Sequence, residues 1–147
     1  MKYIHTNIVA ENWRRLADFY INVFGCKEVY AKRDLKGDWI DQGTGIHQVH
    51  IEGVHLRLPG YDDDGPTLEI FQYNKSHLQE TRLINRHGFG HIAFRVQDVQ
   101  KTLQAVIAAG GGKLSDIIYH DLPNAGKITF VYAKDPEGNF LELQKFE

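Results

Sequence analysis

Cysteine is nearly absent from this chain: Cys26 is the single thiol, so no internal disulfide can form. An oxidising compartment is not needed, and the cytoplasm is the expected location. Cys26 falls at a predicted helix-to-strand junction and reads as a small packing residue. An excess of one charge is lacking too. The formal net charge is −2 and no basic stripe stands out, which argues against nucleic acid as a partner. No apolar run approaches a membrane span, and a strand is expected from residue 3, which leaves no room for a signal peptide before it. Neither a membrane nor a nucleic acid is therefore expected as a partner. With 147 residues the chain can bury a core, and one domain over residues 1–147 is expected.

What the chain does have is an internal repeat. One half opens Tyr3-Ile4-His5-Thr6-Asn7-Ile8-Val9, the other Phe89-Gly90-His91-Ile92-Ala93-Phe94-Arg95-Val96. His5 precedes Gly25 by 20 residues, and His91 precedes Gly111 by 20. Lys27 and Lys113 follow at equal offsets, and the halves end alike in Leu68-Glu69-Ile70 and Leu141-Glu142-Leu143. One supersecondary unit used twice explains this spacing. Module 1 covers about residues 1–74 and module 2 about 88–147.

The expected order within each module is β-α-β-β-β, an α+β architecture. Residues 3–9 alternate as a strand. Asn12 is an N-cap, Trp13, Leu16, Ala17, Tyr20, Val23 and Phe24 recur at helical spacing, and Gly25 ends the helix. Strands are expected at 27–33, 53–58 and 67–73, with the acidic turn Pro59–Pro66 between the last two. Residues 34–52 read as an extended, glycine-broken loop and a candidate pocket wall or lid. Residues 74–87 read as a polar connector with room for a short helical turn. In module 2, strand 89–96 leads to the N-cap Asp98. A helical stripe of Val99, Leu103, Val106 and Ile107 follows, then Gly110-Gly111-Gly112. Strands near 114–119, 127–133 and 139–145 complete the module, with Asp135-Pro136-Glu137-Gly138 as the final turn.

Alternation places His5 and His91 on first strands and Glu69 and Glu142 on last strands. All four point away from the helical layer. A buried, unpaired carboxylate is costly, and two facing each other more so. A divalent cation removes that repulsion. Imidazole with carboxylate suits Zn, Ni, Co, Fe or Mn rather than a structural thiolate zinc site. The expected metal ligands are His5, Glu69, His91 and Glu142. The rival reading makes them ordinary strand residues.

The sequence resembles the vicinal oxygen chelate superfamily, which includes glyoxalase I, methylmalonyl-CoA epimerase, extradiol dioxygenases and fosfomycin- and bleomycin-resistance proteins. The resemblance rests on His5 through Phe19-Tyr20 and Phe24-Gly25, on Gly88-Phe89-Gly90-His91-Ile92-Ala93-Phe94 with Val96 and Asp98, and on Asp135–Asn139 with Leu141-Glu142-Leu143. It implies paired β-α-β-β-β modules forming a cupped mixed sheet around a metal site, with the same four residues as ligands. It also implies one divalent metal per site, Ni, Zn or Co ahead of Fe or Mn, and a homodimer. A carboxylate at Glu69 resembles glyoxalase I. His91-Ile92-Ala93-Phe94-Arg95-Val96 resembles the epimerase strand. Val9 stands where bacterial glyoxalase I carries an Arg that holds glutathione, which argues against glutathione dependence.

The resemblance implies a metal-dependent isomerase or lyase. A small oxygenated substrate would lose a C–H proton through a metal-chelated enediolate, with Glu142 and then Glu69 as the base. A related epimerase uses a further Glu in the region of Glu52. One alternative is an Fe(II) dioxygenase using His5, His91 and Glu142. The other is a non-catalytic drug-binding module whose cleft uses Trp39, His47, His50, His55 and Tyr61. His47, His50 and His55 have no repeat counterpart and are not expected as ligands. Lys127 and Arg95 are candidates for an anionic substrate group, and Asp62-Asp63-Asp64 reads as a solvated loop.

Overall fold

The computed structural model describes residues 1–77, 82–124 and 126–147. It divides into two units, Met1–Leu78 and Gln79–Glu147. Both predicted N-caps start helices. Asn12 Oδ1 accepts the Arg15 amide at 3.1 Å at the head of α1 (Trp13–Phe24), and Asp98 Oδ1 accepts the Lys101 amide at 2.9 Å at the head of α3 (Val99–Ala108). Gly25 closes α1 in the left-handed region at φ 72°, where its amide reaches the Ile21 carbonyl.

In the first unit β1 (His5–Val9), β2 (Lys27–Lys36), β3 (His50–Arg57) and β4 (Thr67–Tyr73) form one sheet in the order β1-β4-β3-β2. The β1–β4 pair is parallel and the other pairs are antiparallel. One face carries Val54, Leu56, Leu68 and Ile70, which are buried with Leu16 and Tyr20 of α1. The opposite face carries the polar cross-strand rows. Asn7 and His55 flank Glu69, and His5 and Arg57 flank Thr67.

The second unit repeats this plan. β5 (Ile92–Arg95), β6 (Gly112–Lys113), β8 (Gly126–Lys134) and β9 (Phe140–Phe146) run in the order β5-β9-β8-β6, and β7 (Ile118–Leu122) also pairs with β8. Again the first strand is parallel to the last. Phe94, Val131, Ala133, Leu141 and Leu143 are buried on the face served by Val99, Leu103 and Val106 of α3. On the other face Ala93 and Tyr132 flank Glu142.

Three expectations are corrected. Residues 34–52 are not an extended loop. β2 runs on to Lys36, α2 (Asp38–Thr44) follows, and β3 starts at His50. Leu35 and Ile40 pack on Val49, Ile51 and Phe71, and the Asp41 carboxylate takes the Gln48 and Val49 amides at 2.6 and 3.0 Å. This helix is too short to leave a periodic pattern in the sequence. The strand expected near 114–119 is split, because Leu114 and Ser115 both donate to the Tyr132 carbonyl and interrupt the ladder between β6 and β7. The strand expected over 89–96 is shorter, so His91 stands just ahead of β5. The connector 74–87 includes residues 78–81, which lie outside the described residues. In its described part Arg86 donates to the Leu83 carbonyl in a turn. No helix of the described residues is long and apolar enough to cross a membrane.

Candidate active site

Each unit pairs its repeat histidine with its repeat glutamate. His5 Nε2 lies 3.5 Å from Glu69 Oε2, and His91 Nε2 lies 2.9 Å from Glu142 Oε2. The carboxylates sit low, with side chains 11% and 15% exposed, while the imidazoles are 41% and 32% exposed at the rim. Both pairs occupy the face opposite the helix, as alternation predicts.

The surroundings of the two glutamates differ. His55 Nε2 lies 2.8 Å from Glu69 Oε1, and Asn7 Nδ2 donates to Oε2 at 3.0 Å, so both oxygens of Glu69 are engaged. His55 is buried, and its Nδ1 lies 3.2 Å from Thr67 Oγ1. Burial pushes the His55 pKa down, and the nearby Arg33 and His5 add to this against the opposing pull of Glu69. The ring is therefore neutral near pH 7. The hydrogen bonds on the ring join Nε2 to Arg33 Nη2 at 3.1 Å and Nδ1 to Thr67 Oγ1, and Glu69 Oε1 lies beside Nε2. In the second unit Ala93 replaces Asn7, and Tyr132 takes the register position of His55. The His91 ring packs edge-on to Tyr132 at 5.2 Å, as the His5 ring does to His55 at 5.8 Å. Burial and the Glu142 charge raise the Tyr132 pKa, which keeps the phenol protonated.

His55 thus joins the site, although it has no histidine counterpart in the repeat. Its counterpart is a tyrosine. Counting outward from the acidic turn would have found it, because that register sets His55 opposite Glu69. The other expected cleft residues do not join. Trp39 and Tyr61 are exposed, His50 binds Asp34 at 2.5 Å, and His47 lies 3.6 Å from Asp41. Glu52 points to the helical side and meets Arg14 at 3.3 Å. Lys127 lies 4.0 Å from exposed Asp121, and Arg95 packs over the Phe146 ring.

Among the described residues no group of three or more His, Cys, Asp or Glu side chains is placed to hold a metal ion alone. What each unit supplies is a pair. The donor chemistry of these pairs fits a divalent cation. Both carboxylates are poorly exposed, and among the described residues neither has a Lys or Arg partner. The contacts from His55 and Asn7 leave lone pairs on Glu69 and would orient it as supporting groups orient metal ligands.

Two β-α-β-β-β units with parallel first and last strands define a glyoxalase-type α+β fold. The chain matches the model of the Glyoxalase/Bleomycin resistance protein/Dioxygenase superfamily over residues 2–143, and it belongs to that family. Solved structures agree. A glyoxalase family protein from Bacillus cereus is 15% identical with a TM-score of 0.76, covering 99% of this chain and 93% of that one. A glyoxalase family protein from Enterococcus faecalis is 20% identical with a TM-score of 0.64, covering 97% and 96%. A superfamily member from Sphaerobacter thermophilus is 15% identical with a TM-score of 0.61, covering 99% and 97%. At these identities the likeness speaks for the fold alone. No curated protein matches the chain. The superfamily holds many enzymes and also non-catalytic members, and its members commonly bind a divalent metal.

Proposed function

We propose that the protein is a metal-dependent isomerase or lyase of glyoxalase or epimerase type. His5, Glu69, His91 and Glu142 hold one divalent cation, with Ni, Zn or Co ahead of Fe or Mn. One observation carries this reading: two low-lying carboxylates, each beside an imidazole and without a Lys or Arg partner among the described residues, recur on the helix-free faces of two repeated units. A cytoplasmic homodimer acting on a small oxygenated molecule completes the proposal.

A divalent cation would supply polarisation of two substrate oxygens, which acidifies the adjoining C–H. The residues then divide the remaining work. Glu69 is fastened at both oxygens by His55 and Asn7, which suits a stationary ligand. Glu142 has one polar side-chain contact among the described residues, to His91, so it keeps the rotational freedom a proton carrier needs. Glu142 is therefore the base that takes the C–H proton and returns it to the neighbouring or opposite position.

Solvent deuterium exchange tests this reading. The protein loaded with Ni, Co or Zn is incubated in deuterated buffer with α-hydroxycarbonyls, thiohemiacetals and 2-acyl thioesters, and proton NMR follows the labile C–H. Exchange into one class is expected, with loss in Glu142→Gln. No exchange by a metal-loaded protein across all three classes contradicts the proposal.

A further inference from the structure

Arg33 lies on the site face of the first sheet, opposite Gly53 in register and therefore in line with His55. Its guanidinium is half-buried, and Nη2 lies 3.1 Å from His55 Nε2. The same nitrogen lies 2.8 Å from Glu69 Oε1. One N–H of Arg33 thus meets the His55 ring. Its side chain has no other hydrogen bond and no salt bridge among the described residues. A guanidinium carries five N–H groups and is always charged, so a half-buried one whose single partner is a ring nitrogen keeps donors for a ligand.

The same face is rich in positive charge. Arg57 is buried there, opposite Thr67, with Nε unpartnered and Nη1 donating to the Asp62 carbonyl at 2.9 Å. Lys27 stands opposite Arg57. Exposed Asp63 lies 3.5 Å from Arg57 Nη1, and Glu69 on the same face is in contact with His55 and Asn7. Such a surface draws anions. Arg33 and Glu69 contact the same ring nitrogen, so one small molecule can reach both.

We propose that Arg33 receives an anionic group of the substrate, a carboxylate or a phosphate, beside the carbon that reacts. This rests on the isomerase or lyase reading and narrows it to acidic substrates. A planar guanidinium fork matches either oxyanion in two parallel hydrogen bonds. Gly53 favours the arrangement, because it gives Arg33 no cross-strand side chain to pack on. A Cβ there would lie 2.6 Å from the Phe71 ring and 2.2 Å from the Ile70 carbonyl oxygen.

Binding of malonate and of inorganic phosphate, measured by calorimetry on the full chain after chelator treatment, tests the proposal without any turnover. Carbon-detected NMR of the histidine rings reports whether the anion sits at His55. One probe should bind and shift the His55 ring signals, and Arg33→Gln should weaken it at least tenfold. Arg14→Gln, which alters a helix-surface arginine, should leave binding unchanged. Malonate binding marks a carboxylic acid substrate, and phosphate binding marks a phosphorylated one. Binding unaltered in Arg33→Gln, or no binding of either probe, overturns the proposal. Metal content of the same preparations before chelation keeps the two readings apart. Anion binding by a protein that never holds metal overturns the metal-dependent reading alone, and metal binding without anion binding overturns the role of Arg33 alone.

Discussion

His55 Nε2 lies 2.8 Å from Glu69 Oε1, and the residue in the same register beside Glu142 is Tyr132. One unit therefore fastens its glutamate with a buried imidazole, while the other leaves its glutamate beside a phenol ring. The repeat has kept the His–Glu pairs and let their supports diverge.

Removing the support should act through Glu69. In His55→Ala the carboxylate keeps Asn7 but loses its buried imidazole neighbour, and Thr67 and Arg33 lose a hydrogen-bond partner, which costs about 1–3 kcal/mol of stability. Metal affinity should fall by roughly 10–100-fold, as when a ligand loses an orienting partner. Chemical denaturation and competition with a metal-binding dye measure the two. Tyr132→Phe should leave metal affinity nearly unchanged, and equal losses in both variants would contradict the asymmetry.

Glu142→Gln should keep the fold and part of the metal but lose turnover by roughly 10²–10⁴-fold, the usual contribution of a positioned base. Once the reactive substrate class is known, kcat and metal content are read on the same preparation. Full activity in this variant would remove Glu142 from the proton path.

Much of this arrangement is legible in the sequence. Asn12, Asp98 and Gly25 announce both helix starts and one helix end through their own capping chemistry, and Thr67–Tyr73 alternates cleanly enough to be bounded correctly. His5, Glu69, His91 and Glu142 stand out because they recur. His55 and Arg33 do not recur, and their place follows from hairpin register and from a bulge. Tyr30, at φ 63°, lies in the bulge that shifts β2 between Val29 and Arg33. Simple alternation cannot be carried across such an irregularity. α2 is hidden for another reason, since its position is set by side-chain packing and by Asp41 rather than by its own short pattern.

Asp41 gives a direct test of that segment. Its carboxylate accepts two backbone amides, including that of Gln48 at φ 54°. Asp41→Ala should cost about 1–2 kcal/mol. It should also raise amide hydrogen exchange over residues 38–49 while leaving β1 and β4 protected. Unchanged protection over 38–49 would show that apolar packing alone holds the helix.

Cys26 offers a pH test. Burial raises its thiol pKa from 9.0 to about 11. The native state then holds the proton more tightly than the unfolded chain. The stabilisation is complete below pH 9 and is lost as pH rises from 9 toward 11. The loss is roughly 2–3 kcal/mol. Denaturation at pH 8 and 11 should show a larger drop for the natural chain than for Cys26→Ala. Thiol reagents at pH 8 should modify Cys26 only as the protein unfolds. Rapid labelling of folded protein would contradict this.

One cation held by both His–Glu pairs, as proposed, should appear in the metal content of the protein. Protein purified without chelators or a metal-affinity column is analysed by elemental mass spectrometry, alongside His5→Ala and His91→Ala. About one divalent metal per chain, lost in both variants although they alter different units, is expected. No metal after reconstitution, or metal retained by either variant, would contradict it.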